Sequence, residues 1–194
     1  MPTVKELFQS SLANTEIFPD FRFLGDPILR IPSEKVNVEK GREIGERLGD
    51  ILVKYWKKNG FGRGLAAPQI GESKRVFVTY LKDKIQIYIN PEIIWNSDKT
   101  NFYREFCLSN GPIWGDIERP ASITMRWTDI NGEQQEKTVD DFLARCWQHE
   151  CDHLDGIVCL DKAVLGTIGF ATSSPLAEKL RDKPINFFPA CTVT

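Results

Sequence analysis

Apolar and polar positions along this chain change their period several times, and each change marks an element. Ile44, Leu48, Ile51, Leu52 and Tyr55 recur at three- and four-residue steps with Lys and Glu between them, which predicts a helix over residues 38–59. Lys54, Lys57 and Lys58 suit its negative end, and Gly60 is a good stop. A glycine-rich loop follows over residues 60–71. Strand-like runs then occupy residues 75–80, 84–90, 92–95 (after Pro91) and 102–109. Residues 122–127 and 136–139 read as two arms of a hairpin turning at Asn131-Gly132. Asp140 or Asp141 is then placed to cap a second helix over residues 142–154.

The ends have less pattern. Residues 1–21 read as an extended arm, Gly25-Asp26-Pro27 as a turn, and residues 163–194 as an irregular tail with at most one short helix near 176–183. Several short strands with two helices argue for an α+β fold, a helix packed among antiparallel strands, in a single domain spanning residues 1–194.

Composition narrows the function. A hydrophobic fraction of 41% and a charged fraction of 27% are those of an ordinary globular chain, so no disordered or fibrous class applies. A net charge of -2 gives no electrostatic case for nucleic acid or an anionic membrane surface. No apolar run approaches the ~20 residues of a membrane helix, and the N-terminus lacks the basic start and apolar stretch of a secretory signal. Five cysteines form no framework spacing, so a reducing compartment, the cytoplasm, is expected, with most of the thiols plainly buried. The two histidines, His149 and His153, stand four residues apart.

That spacing carries the chemistry. Cys146-Trp147-Gln148-His149-Glu150-Cys151-Asp152-His153 contains H-E-x-x-H in the second helix. Residues four apart lie one above the other on one face, so both imidazoles can converge on one ion, and Glu150 stands beside the first of them without ligating. A catalytic site of this kind takes three protein ligands and keeps one position open. No histidine is left for the third. Asp155, Asp161 and Glu178 lie downstream, as a zinc endopeptidase would have it, and Cys107 lies upstream. Spacing leans to Cys107 without deciding.

Three segments point further. Gly62-Arg63-Gly64-Leu65-Ala66-Ala67-Pro68-Gln69-Ile70-Gly71, then Glu105-Phe106-Cys107-Leu108-Ser109, then Gln148-His149-Glu150-Cys151-Asp152-His153-Leu154-Asp155-Gly156 resemble, in order, the three motifs of peptide deformylases. Gly25-Asp26-Pro27-Ile28-Leu29-Arg30 and the stretch from Glu118-Arg119-Pro120 to Ala144-Arg145 are similar to that family too, so the resemblance covers about residues 23–162. The third motif and the tail look like the organelle and bacterial type. The resemblance implies antiparallel sheets around a central helix that carries H-E-x-x-H. It implies removal of the formyl group from the N-terminal methionine of new polypeptides, with release of formate. Carried over by motif, Cys107, His149 and His153 are ligands of one divalent ion, Glu150 is general base and acid, and Gln69 and the Leu108 N–H donate to the substrate. Gly62, Arg63, Gly64, Glu105 and Phe106 line the substrate groove. Ferrous iron is the ion the resemblance favours, while zinc, nickel and cobalt suit the same donors. The partner is a formylated peptide, met at the ribosome, with no nucleic acid or membrane required; a processed chain would instead work in an organelle matrix. Oligomeric state is not readable.

Two positions depart from the family. A small apolar residue is usual where Arg63 stands, and glycine where Phe106 stands. A charge and a benzyl group beside the groove predict weaker action on formyl-methionyl peptides, and a gain in kcat/KM for Arg63→Val with Phe106→Gly. The alternatives are therefore a deformylase-like amidase for another N-formyl or N-acyl compound, a metal-binding protein without turnover, and a zinc endopeptidase. A purely structural ion would leave Glu150 and Gln69 without purpose.

Overall fold

The computed structural model describes residue 9 and residues 13–170, and among these two long helices and eight strands build the frame. Helix α1 covers Val38–Asn59 and α2 covers Asp141–Leu154. The strands are β1 (Gly64–Ala66), β2 (Val76–Leu81), β3 (Lys84–Asn96), β4 (Thr100–Phe106), β5 (Ile113–Pro120), β6 (Ser122–Thr128), β7 (Gln134–Asp140) and β8 (Gly169–Phe170). One antiparallel sheet has the order β1-β2-β3-β6-β7 and a smaller one the order β4-β5-β8.

Strand β2 shows how the layers form. Val76, Val78 and Tyr80 turn one way, into a core with Ile44, Leu48 and Leu52 of α1. Phe77 turns the other way, joining Tyr88, Ile123, Met125 and Trp127 around Trp147, Cys151 and Leu154 of α2. A strand covered on both faces reads as a nearly unbroken apolar run, and Val-Phe-Val-Thr-Tyr-Leu is one. Helix α2 is buried almost throughout from Ala144 to Leu154, with the five-stranded sheet on one side and β5 of the smaller sheet on another.

Helix α1 begins where the Asn37 side chain accepts from the Lys40 N–H at 2.8 Å and ends at Gly60, in the left-handed region at φ 77°. Its buried face carries Gly41, Gly45 and Gly49 against Ile89, Ile87 and Ile85 of β3. Four residues of helix rise about 6 Å and two of strand about 6.6 Å, so each glycine meets the next isoleucine in turn. A methyl group at Gly41 would stand 2.7 Å from Ile89 Cγ2, and one at Gly45 would overlap Ile87 Cγ2. Glycine to alanine normally gains up to about 1 kcal/mol in a helix. Here the stiff β-branched neighbour cannot retreat, and overpacking costs about 1–3 kcal/mol. Gly45→Ala is therefore expected to lower the urea midpoint, whereas a rise would mean that the helix backs away freely.

The chain departs from the sequence reading in five places. Residues 13–17 are helical rather than extended, and Phe18 and Phe21 are buried on Tyr55 with ring centroids 5.3 and 5.5 Å away. Strand β3 continues through Pro91 because Asn90 adopts φ 51° and the ladder to β6 shifts register there, a place where a missing N–H is tolerated. Strands β1 and β5 lie where no strand is expected. Asp140 occupies the cap position of α2 but makes no capping hydrogen bond, and Asp141 is the helix's first residue. The tail is not irregular at its start: Ala163 bridges to Ile117, and β8 pairs with β5. The short helix expected near 176–183 lies outside the described residues.

Candidate metal centre

Cys107 follows β4 directly and opens onto the 3-10 turn Leu108–Asn110, which aims its thiol at α2. His149 and His153, one turn apart on α2, face it. The Cys107 Sγ lies 3.1 Å from His153 Nε2, and one ligand atom from each of the three residues falls within 4.8 Å of the others. All three side chains are buried.

Each is held from behind. His149 Nδ1–H donates to Glu105 Oε2 at 2.9 Å, which leaves Nε2 for the site. Glu105 in turn takes a two-pronged contact from Arg119 at 2.6 and 2.9 Å, and a further one from Arg145. Arg119 reaches on to Asp152 at 2.7 Å, and Lys162 closes the chain on Asp152 at 2.6 Å. Such a network is costly unless every charge is matched, and here each carboxylate is. Glu105 is expected from the sequence to line the groove. Both its oxygens are instead spent on Arg119, Arg145 and His149, with the side chain fully buried, so it acts through the imidazole.

Electrostatics follow from this packing. Burial alone pushes the Cys107 thiol up, but the Cys159 hydrogen bond and the charge and hydrogen bonds of His153 and His149 outweigh it and hold the thiol well below its usual value. Burial alone would lower His149, yet its bonds to Cys107 and Glu105 raise it well above an ordinary histidine. Burial also disfavours the Glu105 anion, and Arg119 and His149 reverse that, keeping it ionised. The sulfur and the carboxylate thus favour the protonated form of the His149 imidazole between them. That is the positive charge a divalent cation supplies when it takes the place of such a proton. One thiolate and two imidazoles are a sound donor set for a divalent ion of intermediate softness, so the residues fit such a group.

Around the cluster stand the remaining groups. Glu150 is buried beside Gly64 of β1, and a methyl group on Gly64 would come 2.7 Å from its Cδ. The glycine thus makes room for the carboxylate. Gly62 has φ 114°, which only glycine adopts without strain. Gln69 sits in the 3-10 turn Ala67–Ile70 after β1. Its Oε1 accepts from the Ala66 N–H at 2.8 Å, which turns Nε2 toward Ser109 Oγ at 3.1 Å and Cys107 Sγ at 3.5 Å. Leu108 begins its turn, where the first amides have no partner within the turn itself. The Arg63 guanidinium lies over the Trp56 ring of α1 at 5.9 Å, and Phe106 is buried with its ring 6.4 Å from that of Trp114.

Residues 20–166 match the family model described as polypeptide deformylase. The chain belongs to that family. It is 45% identical over 145 residues to the peptide deformylase of Desulforudis audaxviator, covering 71% of this chain and 88% of that protein. The peptide deformylase of Pseudothermotoga lettingae is 40% identical over 162 residues, 82% of this chain and 91% of the relative. Among solved structures, peptide deformylase from Thermotoga maritima superposes with a TM-score of 0.69 at 35% identity, covering 74% of this chain and 96% of that one. A Synechococcus elongatus peptide deformylase in complex with actinonin gives 0.64 at 33% identity, over 74% and 78%. Peptide deformylases are metal-dependent hydrolases that remove the N-formyl group from nascent polypeptides, and that is the reaction of this chain.

Sequence reasoning overlooks Arg119, Arg145, Asp152, Lys162, Asn110 and Cys159. A signal existed for the first two. Each places a cation where the alternation of a strand, or the apolar face of a helix, demands an inward residue, and an inward charge needs a buried partner.

Proposed function

We propose that the substrate is the N-terminal formyl-methionine of a nascent polypeptide, cleaved to formate and a free amine, with one divalent ion held by Cys107, His149 and His153. The observation that carries this is the meeting of three buried ligand atoms within 4.8 Å, with Glu150 next to one ligand and Gln69 next to another. A divalent ion in such a site acts as a Lewis acid and lowers the pKa of water from ~15.7 toward ~7. Glu150 takes the proton of the attacking water and returns it to the leaving amine. Gln69 Nε2 and the Leu108 N–H donate to the formyl oxygen as charge builds on it, each worth about 3–4 kcal/mol. The substrate backbone runs past Gly62, Arg63 and Gly64 on one side and Phe106 on the other.

Ferrous iron is our choice of ion, on family resemblance. The peptide is met at the ribosome, in the cytoplasm or, for a processed chain, in an organelle matrix. No helix among the described residues is long and apolar enough to cross a membrane. One catalytic unit spans the matched residues 20–166.

Two contacts favour the plain deformylase over a remodelled amidase. Arg63 rests on Trp56, and Phe106 fills space beside Trp114. Arg63→Val with Phe106→Gly is now expected to leave kcat/KM on formyl-Met-Ala-Ser no higher. Loss of the buried ring should lower stability by about 3–5 kcal/mol. A tenfold gain in kcat/KM, about 1.4 kcal/mol, would bring the remodelled pocket back.

The proposal itself is tested by incubating iron-loaded protein anaerobically with formyl-Met-Ala-Ser and acetyl-Met-Ala-Ser. Formate and free amine should appear in equal amounts from the first, with far slower release from the second. Equal cleavage of both, or of an internal peptide bond, would refute it.

A further inference from the structure

Behind the ligand thiol lies a second one that hydrolysis does not use. Cys159 opens the 3-10 turn Cys159–Lys162 and is buried in a small cluster with Cys107 and Ile117. The two side chains pack against each other within that cluster. Asn110 holds both: its Nδ2 donates to Cys159 Sγ at 3.1 Å, and its backbone N–H donates to the Cys107 carbonyl at 3.0 Å. Cys151, on α2, instead turns its sulfur toward Met125 at 3.9 Å, in the core under the five-stranded sheet. Buried cysteine is usually a small hydrophobe. A thiol clamped against a reactive one is different, and as a fourth ligand it would close the position that hydrolysis needs open.

We propose that Cys159 is the thiol that captures Cys107 when a hydroperoxide oxidises it, joining the two in a disulfide that a dithiol reverses. The inference holds whichever amide the site hydrolyses. Hydrogen peroxide is scarcely larger than the water the reaction consumes, so the opening that admits one admits the other. In the first step the Cys107 sulfur takes one peroxide oxygen, the O–O bond breaks, and hydroxide leaves with the electron pair. In the second, the Cys159 sulfur attacks that of Cys107, the S–O bond breaks, and the oxygen departs as water with the Cys159 proton. Counted from two thiols, one peroxide yields one disulfide and two waters. Capture within a preformed contact outruns the arrival of a second peroxide, which would carry Cys107 on to sulfinic acid. The disulfide sulfur is no longer an anionic ligand, so the ion is released and activity stops until reduction.

Treating enzyme loaded with zinc, which does not itself react with peroxide, with a few equivalents of hydrogen peroxide, then quenching, alkylating and mapping peptides by mass, reads the outcome directly. A peptide pair linked through Cys107 and Cys159 is expected, with both thiols recovered after dithiothreitol. Cys159→Ser and Cys159→Ala should both shift Cys107 to sulfinic and sulfonic acids that dithiothreitol does not restore. The proposal is overturned if Cys107 of the parent reaches sulfinic acid while Cys159 remains free to alkylate. It is overturned equally if Cys107 pairs with another cysteine, or if both variants recover their Cys107 thiol as fully as the parent.

Discussion

Glu150→Gln is expected to carry as much metal as the parent while kcat falls by about 10²–10⁴-fold, the range that a positioned acid–base group contributes. Glutamine keeps the shape of the side chain, so the pocket that Gly64 leaves for it is still filled. None of the three converging ligand atoms belongs to Glu150, so metal binding has no reason to change. What disappears is a group able to accept a proton at neutral pH. Metal per chain by elemental analysis and kcat by formate release check the two halves together. Loss of metal in the variant, or activity within tenfold of the parent, would take the proton-transfer role away from Glu150.

Cys107→Ser should do the reverse, removing the metal first and activity as a consequence. The thiol is held well below its usual value by its neighbours, whereas a serine hydroxyl is not ionised near neutral pH and makes a far poorer ligand. Disturbing an outer partner of a ligand typically costs 10–100-fold in metal affinity, and removing the ligand should cost more. Chelator competition at fixed pH measures this. An affinity within tenfold of the parent would move the third ligand to another residue. Asp161, one of the downstream candidates, already lies in an ion pair with Arg30.

The Glu150 expectation was reachable from sequence because H-E-x-x-H depends on a local period, whereas the Cys107 one came only through the resemblance of the second motif. Four residues of helix bring two imidazoles together wherever the helix sits, and the apolar steps of α1 are equally local. What could not be read depends on distant partners. Strand β5 buries a charge on each of its faces, Asp116 on one and Arg119, in line with Ile117, on the other. Asp116 is matched by Arg104 at 2.8 Å and Arg119 by Glu105, both across the β4–β5 ladder. Pattern reading sends charges outward, so a strand carrying buried ion pairs reads as a loop. The same pairing hid the place of Glu105 behind His149, because its partners come from β5 and α2. Phe18 and Phe21 look like part of a loose arm until Tyr55 of α1 is there to receive them. Strand β1 is three residues long, too short for any period.

Metal dependence at one site per chain is the claim on which the rest stands, and a stoichiometric titration tests it most directly. Metal-free protein receives ferrous iron in measured steps without oxygen, while formate release from formyl-Met-Ala-Ser is followed at each step. Activity should rise in proportion to added iron and break sharply at one ion per chain, with the Cys107→Ser variant showing no break at that point. Full activity before any iron is added, or a break at the same ratio in the variant, would contradict the account.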